Sequence, residues 1–200
     1  MKKSIIQSLL YSHILFLILL PMWFKLTLYL HPLVILVVWF SLFSFVLFCV
    51  FWVKKEKISI SKHVLHTLTF FYSVGLLILL FFRPSNQNYG AINLIPFNTI
   101  HLYLSGKIDF LIAFYNLGAN IGLFIPFGLY YVFLAKKPTI KQLLIITLFT
   151  ISTIEGLQYI TRRGSLDIDD LILNVLGVYI GYCIYPLIQK VVVIHNDTNV

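Results

Sequence analysis

Charged residues are scarce in this chain of 200 residues: Asp, Glu, Lys and Arg make up 11% of it, whereas 60% is hydrophobic. A water-soluble domain of this size carries roughly 25% charged residues. The mean hydropathy of +0.92 points the same way. A soluble globular enzyme is therefore nearly excluded, and the composition predicts an integral membrane protein.

Cysteine and closely spaced metal ligands are also lacking. The chain has 2 cysteines, Cys49 and Cys183, and each lies inside an apolar run. A disulfide framework or a thiolate metal site needs several cysteines at short spacing. His63 and His66 share a helix face but have no third ligand nearby in the sequence. Neither a metal nor another cofactor is predicted.

Common catalytic motifs are absent from the sequence. It contains no H-E-x-x-H, no G-x-S-x-G and no G-x-x-x-x-G-K-[ST]. The zinc protease, serine hydrolase and nucleotide-binding classes therefore have no support.

Long apolar segments dominate what is present. A helix that crosses a hydrocarbon core of about 30 Å needs about 20 residues. The segments of suitable length are roughly 9–30, 33–53, 64–82, 110–134, 140–160 and 171–188. The predicted fold class is all-α, a polytopic bundle of about six transmembrane helices. The number is five if the first segment, which Pro21 and Lys25 interrupt, does not cross the membrane fully. This segment has no A-x-A cleavage site, so we interpret it as a retained span and not as a signal peptide.

The distribution of Lys and Arg predicts the orientation of these spans. With a cytoplasmic N-terminus, ten lysines face the cytoplasm and five basic residues lie outside. The ten are Lys2, Lys3, Lys54, Lys55, Lys57, Lys62, Lys136, Lys137, Lys141 and Lys190, and the five are Lys25, Arg83, Lys107, Arg162 and Arg163. The positive-inside rule then favours a multi-pass protein of the cell membrane with both termini cytoplasmic. The net charge of +8 reflects this topology, so nucleic acid is not expected as a partner.

The loop at 83–109 differs from the short, basic cytoplasmic loops. Its centre at 92–100 is apolar, and long loops without secondary structure are usually functional or disordered. We interpret 92–100 as a re-entrant or interfacial segment.

Polar residues near the end of the fifth span are the first candidates for function. Glu155 lies about 7.5 Å below the predicted helix end, from a rise of about 1.5 Å per residue. Helical spacing places it on one face with Ser152, Gln158 and, if the helix continues, Arg162. A carboxylate inside a membrane must be neutralised or paired. Glu155 therefore marks the strongest candidate site.

The sixth span begins with three aspartates, Asp167, Asp169 and Asp170. Asp170, Asn174, Gly177 and Gly181 follow one helix face, so this ridge is predicted to contact another span. For the aspartates, helix capping and salt bridges with Arg162 and Arg163 are an alternative to a ligand-binding role.

The fourth span offers Asn116 and Asn120, which are separated by one helical turn. These amides, like Asn174, have two interpretations that the sequence leaves open. They either line a polar site or serve as interhelical hydrogen bonds within the bundle.

Four sequence blocks follow one another through the second half of the chain. They are NLIPF at 93–97 with Thr99 and Ile100; Asn116 and Asn120 leading into LFIPFG at 123–128; E-x-x-Q at 155–158; and RGSLDIDD at 163–170 continuing to Asn174 and Gly177. In this order, over residues 83–181, they resemble the VanZ-like family. One block alone is weakly specific, whereas four in order are a specific match.

This resemblance implies a polytopic bacterial membrane protein. The family is named for a member that confers low-level resistance to the lipoglycopeptide teicoplanin without matching resistance to vancomycin. Residues 63–190 then form a VanZ-like transmembrane domain, after an N-terminal two-span region at 1–62 and before a tail at 191–200. The polar positions that match the family are Arg83, Asn93, Asn116, Asn120, Glu155, Gln158, Arg163, Asp167, Asp169, Asp170 and Asn174.

Two functional hypotheses follow. In the first, the protein acts at the outer membrane face on an acylated glycopeptide or a lipid-linked cell-wall precursor, with membrane lipid as its surroundings. In the second, it is an intramembrane enzyme that modifies a lipid or lipid-linked substrate, with Glu155, Asp169 and Asp170 as acid, base or metal-binding groups. The sequence does not decide whether the protein is an enzyme, and it leaves the oligomeric state open.

Overall fold

The computed structural model describes residues 2–27, 33–81 and 92–195, and it is mostly helical. The helices are α1 Lys2–Ile18, α2 Leu20–Thr27, α3 Leu33–Val53, α4 Lys62–Phe81, α5 Asn98–Leu104, α6 Phe110–Gly122, α7 Ile125–Leu134, α8 Ile140–Ile160 and α9 Ile168–Ile188. The strands are β1 Ile58–Ser61, β2 Ile92–Asn93, β3 Leu166–Asp167 and β4 Val192–His195. A predominantly helical fold confirms that part of the prediction.

Within the described residues, 4 helical segments are long and apolar enough to cross a membrane. They are α4, α6 continued by α7, α8 and α9. Val38–Val53 within α3 is a shorter apolar helix. Membrane-spanning character is thereby supported, while the total of about six spans and the cytoplasmic position of both termini stay predictions.

The predicted first span at 9–30 includes parts of two helices in the structure, and its residues 28–30 lie outside the described residues. α1 ends at Ile18, and α2 begins at Leu20 with Pro21 in its first turn. Proline has no N–H to donate to the carbonyl four residues earlier in a helix, and its ring clashes with that carbonyl. The helix is therefore interrupted at Leu19, and α2 begins at Leu20.

The described residues form two compact units. The first contains those of Met1–Ile60 and Leu187–Val193, and the second contains those of Ser61–Pro186 and Ile194–Val200. The predicted divisions after residues 62 and 190 stay predictions.

In the first unit, α1 packs on α3 through a ridge of small residues. The buried residues of α1 are Ser4, Ser8 and Ser12. Small side chains at a spacing of four residues allow two helices to approach closely. Ser4 also donates a hydrogen bond of 2.8 Å to Glu56, just after α3.

In the second unit, helices α4, α8 and α9 share one apolar core. The buried side chains that contact one another are Leu76, Leu80, Phe124, Leu143, Ile151 and Val178. One face of α8 points inward, because its buried residues recur about every fourth position. This face begins with Leu143 and ends with the polar residues Glu155 and Gln158.

Glycines bring α9 against α6 and α7 at backbone distance. A Cβ added to Gly177 would overlap the carbonyl oxygen of Ile121, and one added to Gly181 would overlap that of Ile125. Gly128 on α7 meets the carbonyl of Val178 in the same way. The predicted contact of the small-residue ridge of α9 with another span is confirmed.

Candidate functional site

A short parallel pairing connects two distant parts of the second unit. Strand β2 pairs with β3, with Ile92 opposite Leu166 and Asn93 opposite Asp167. β2 precedes α5, and β3 leads directly into α9. The pairing therefore brings the NLIPF and RGSLDIDD blocks together.

Asp169 holds the start of α5. Its carboxylate, which is 0% exposed, accepts backbone hydrogen bonds from Phe97 (2.5 Å), Thr99 (2.7 Å) and Ile100 (3.1 Å). These N–H groups lie at the N-terminus of α5, where helix geometry provides no carbonyl partner. Phe97 has a left-handed φ of 66°, and Asp169 holds the chain in this uncommon conformation.

Asp167 completes this arrangement with side-chain donors. It accepts hydrogen bonds from the Thr99 hydroxyl (2.6 Å) and the Asn93 amide (3.3 Å), and it also accepts one from the backbone N–H of Asp169 (2.9 Å). Asn93 donates in turn to Thr99 at 2.9 Å. We call Asn93, Phe97, Thr99, Asp167 and Asp169 the corner network.

The corner network favours a structural interpretation of Asp167 and Asp169. Their described hydrogen bonds come mainly from the 93–100 segment, so they cap α5 and fasten it to the start of α9. We interpret Asp169 as a positioning residue, because both of its oxygens are engaged by backbone N–H groups inside the protein.

Asp170 faces a different neighbour. It accepts a hydrogen bond of 2.5 Å from the Asn120 side-chain amide, which joins α9 to α6. Asn116, one turn earlier on α6, donates to the carbonyl of Ile112 in its own helix at 2.8 Å. The two asparagines of the fourth span therefore differ. The Asn120 side chain bonds a neighbouring helix, whereas the described hydrogen bond of the Asn116 side chain stays within α6.

Asn174 lies one turn beyond Asp170 on α9 and is only 3% exposed. Within the described part of the chain, its side-chain oxygen has no hydrogen-bond partner. Buried polar atoms are paired in the great majority of cases. Asn174 is therefore an unsatisfied acceptor in the interior of the second unit.

Glu155 and Gln158 lie in the last two turns of α8, and both are buried. Gln158 donates 2.9 Å to the carbonyl of Leu80 near the end of α4, where helix geometry leaves carbonyls without partners. Glu155 is 6% exposed on the same inward face. We call Asn120, Glu155, Gln158, Asp170 and Asn174 the polar end.

Sequence comparison gives this arrangement a family context. The VanZ/LLP1 family profile matches residues 33–189, which is most of the chain. The chain belongs to the VanZ-like family. Neither a curated protein nor a solved structure matches it. The match starts well before residues 83–181, on which the resemblance was based, and includes α3.

Two residues of the polar stripe considered for this VanZ-like protein do not join the buried face of α8. α8 ends at Ile160, so Arg162 lies beyond it, and Ser152 is exposed. Arg162 has φ 53° and donates its backbone N–H to Tyr159, while Arg163 donates to the carbonyl of Gln158. This is the Schellman arrangement, which ends a helix by a left-handed residue.

The remaining predicted positions of the VanZ-like site are placed as follows. Arg163 has an exposed side chain, and Arg83 lies outside the described residues. Across residues 2–27, 33–81 and 92–195, no three His, Cys, Asp or Glu side chains are grouped to hold a metal ion. Carboxylate and amide oxygens are therefore the reactive or binding groups that the polar end offers.

Sequence reasoning missed the backbone donors of the corner network. The backbone N–H groups of Phe97 and Ile100 carry no side-chain signature. The only available signal was Thr99, a hydroxyl residue six positions after Asn93 and next to a helix start.

Proposed function

We propose that this VanZ-like protein binds an acylated amphiphile at the polar end and lowers susceptibility to teicoplanin more than to vancomycin. The ligand is an acylated glycopeptide or a lipid-linked cell-wall component, and it is met at the outer membrane face. Membrane lipid surrounds the helices.

The observation that carries this proposal is a group of buried polar side chains inside apolar helices. Glu155, Gln158 and Asn174 are each less than a tenth exposed. Polar groups inside a membrane cost free energy, and they usually mark a site or a wet cavity. A ligand head group with hydrogen-bonding capacity suits such a place.

Exposed apolar side chains of the second unit support the acyl part of the ligand. Phe97 is 62% exposed, and Phe110 at the start of α6 is 79% exposed. Sites for amphiphiles combine a few convergent polar groups with mostly apolar walls. Teicoplanin has a fatty acyl tail and vancomycin lacks one, so recognition of the tail would explain the selectivity.

An intramembrane enzyme acting on a lipid-linked substrate is the second candidate, and the buried carboxylate of Glu155 favours it. Asp169 is less suited to act as its partner, because three backbone N–H groups engage it. Asp170, which accepts a hydrogen bond from the Asn120 side chain, is the second carboxylate that we propose for such chemistry.

The test is antibiotic susceptibility of a sensitive Gram-positive host. Wild type, Glu155→Gln and Asp170→Asn are expressed at equal, verified membrane levels and compared for teicoplanin and vancomycin. We expect wild type to raise teicoplanin tolerance selectively and both variants to weaken that effect. Thr153→Val is the matched control, because Thr153 is exposed on α8 and its hydroxyl bonds the carbonyl of Phe149.

Adding Asn120→Leu and a measurement of ligand binding to this experiment separates the two candidate functions. Binding predicts graded losses from Glu155→Gln and from Asn120→Leu. Catalysis predicts complete loss from Glu155→Gln while ligand binding survives. A wild-type protein that changes neither susceptibility would exclude the resistance role for this chain.

A further inference from the structure

We propose that one end of the second unit binds the phosphate head groups of anionic phospholipids. We call Lys62, Lys136, Lys137 and Lys141 the basic end. These lysines lie where α8 begins, whereas the polar end lies where α8 ends. The inference therefore goes beyond the proposed function and does not depend on it.

The first step is the contact that brings these lysines to one end of the unit. His66 on α4 is hydrogen-bonded to the hydroxyl of Tyr130 on α7 at 2.7 Å. Lys62 is the first residue of α4, one turn before His66, and α7 ends one turn after Tyr130. The start of α4 and the end of α7 therefore lie together. Lys136 and Lys137 follow α7 directly in the chain.

The second step is the loop between α7 and α8, which carries Lys136 and Lys137. Both side chains are exposed. The loop is short, and the hydroxyl of Tyr131 accepts a hydrogen bond from the N–H of Thr139 at 3.2 Å. The same hydroxyl lies 3.1 Å from the side-chain oxygen of Gln142, to which it donates. Hydrogen bonds from α7 therefore hold the end of this loop and the first turn of α8.

The third step is the separation of charge within the second unit. The carboxylates of residues 61–186 all lie at its other end, in the cap of α6, the last turns of α8 and the start of α9. They are Asp109, Glu155, Asp167, Asp169 and Asp170. Along α8, Lys141 and Glu155 are about 21 Å apart, from a rise of about 1.5 Å per residue. This separation exceeds the screening length of about 8 Å at physiological salt, so these carboxylates do not neutralise the basic end.

The fourth step is the depth of the lysines in the membrane. α8 has 21 residues. Its length is about 32 Å, which matches a hydrocarbon core of about 30 Å. Its first turn, with Lys141, therefore lies at the level of the lipid head groups.

The fifth step is the apolar surface that follows Lys141 on the same face of α8. Ile145 and Phe149 lie one and two turns further along, and they are 58% and 76% exposed. Residues four apart share a helix face. A phospholipid therefore meets lysines with its phosphate and apolar side chains with its acyl chains. A soluble anion or a nucleic acid would use the lysines alone.

The experiment measures lipid binding to the full-length chain in an uncharged detergent. The probes are dioleoylphosphatidylglycerol, dioleoylphosphatidylcholine and glycerol 3-phosphate, which share a phosphate but differ in net charge or in acyl chains. Each dissociation constant is obtained from the probe-dependent rise of the unfolding temperature. We expect phosphatidylglycerol to bind about ten-fold more tightly than phosphatidylcholine, and added salt should reduce this preference. Glycerol 3-phosphate should bind most weakly.

A triple variant assigns the preference to the basic end. Lys136→Gln, Lys137→Gln and Lys141→Gln together remove three positive charges from exposed positions. Phosphatidylglycerol should then bind about ten-fold more weakly, while the affinity for phosphatidylcholine should not change. Arginine at the same three positions keeps the charge and should retain the preference.

A second triple variant is the matched control for net charge. Lys3→Gln, Lys55→Gln and Lys57→Gln remove the same charge from exposed positions of the first unit. The first unit also contains Glu56, which offsets part of its positive charge. This variant should keep most of the preference for phosphatidylglycerol.

Three results would overturn the proposal. The first is equal affinity of wild type for the two phospholipids, a comparison that applies even if a variant does not fold. The second is equal weakening by both glutamine triples, which would show attraction to the net charge of +8 and not to the basic end. The third is binding of glycerol 3-phosphate as tight as that of phosphatidylglycerol, which would identify a soluble phosphate ester as the ligand.

Discussion

Two of the three buried serines of α1, Ser8 and Ser12, are satisfied in a different way from the amides of the polar end. On α1, Ser8 donates to the carbonyl of Ser4 and Ser12 donates to that of Leu9, so both hydrogen bonds stay within one helix. At the polar end, Asn120 bonds Asp170 across 50 positions, and Gln158 bonds Leu80 across 78.

This difference separates packing from site building. A serine that bonds its own helix exposes no polar group to the neighbouring helix, so it acts as a small residue in a close contact. An amide that bonds another helix depends on where that helix lies. The polar end is therefore sensitive to the positions of α4, α6, α8 and α9, whereas the serine ridge depends on α1 and α3.

The largest effect is expected where α9 meets α7. Gly181→Ala adds a Cβ that overlaps the backbone carbonyl of Ile125, which cannot turn away as a side chain would. We expect the free energy of unfolding to fall by about 3 kcal/mol, as overpacking of a close contact does. Thermal or denaturant unfolding of the purified protein measures it.

Gly118→Ala is the matched control for that change. No atom lies within 4 Å of a Cβ built there, and alanine favours a helix over glycine by about 1 kcal/mol. The free energy of unfolding should be unchanged or slightly higher. Equal losses from both alanines would contradict the specific role of the close contact at Gly181.

A smaller effect is expected from Asp169→Asn in the corner network. Asparagine retains one acceptor oxygen, so at least one of the three backbone N–H groups loses its partner. We expect a cost of about 2 kcal/mol, since the lost bonds are to a charged group. Hydrogen exchange should become faster in α5 while that of α8 stays slow.

Asp109→Asn is the control for the corner network. Asp109 caps α6 by accepting a hydrogen bond from the N–H of Leu111 at 2.9 Å. Asparagine caps a helix about as well as aspartate. Exchange in α5 should not change, and slow exchange of α5 in Asp169→Asn would contradict the positioning role of Asp169.

The smallest effect concerns pH in the first unit. The hydrogen bond from the Ser4 hydroxyl lowers the pKa of the Glu56 carboxyl below its ordinary value. The lowered pKa stabilises the folded protein above the ordinary glutamate pKa of about 4.3. That contribution is lost as the pH falls through the folded-state value.

Ser4→Ala should therefore lower the unfolding temperature at neutral pH, and the difference from wild type should shrink on acidification. Ser12→Ala is the control, because Ser12 bonds a backbone carbonyl and should show no such pH dependence. A difference for Ser4→Ala that is constant with pH would argue against the role of Glu56.

Much of the helical layout was predictable from the length of apolar runs. The predicted segments 33–53, 110–134 and 140–160 correspond to α3, to α6 with α7, and to α8. Apolar length decides these elements because a helix must match the membrane thickness. The small-residue ridge of α9 was likewise readable from its spacing.

The end of α8 was not predictable in the same way. A helix usually ends at a glycine in the left-handed conformation, and here Arg162 takes that position. Helical spacing alone therefore does not reveal that α8 ends before Arg162. Glu155 and Gln158 lie on the buried face of α8, whereas Ser152 is exposed and Arg162 lies beyond the end of the helix.

The backbone contacts of the corner network were not predictable from the sequence for a related reason. Its donors include backbone N–H groups, and it depends on Phe97 at φ 66°. Side-chain patterns report which residues prefer apolar surroundings, but they do not report backbone conformation at a single phenylalanine.

The separation of the two halves of the corner network along the chain has a consequence for biosynthesis. Thr99 and Asp169 are 70 residues apart, and α6, α7 and α8 lie between them. The ribosome makes Asp169 only after all of those helices. The N-terminus of α5 consequently cannot be capped by Asp169 until the start of α9 has been synthesised. The corner network therefore forms late in assembly, after the intervening helices have been made.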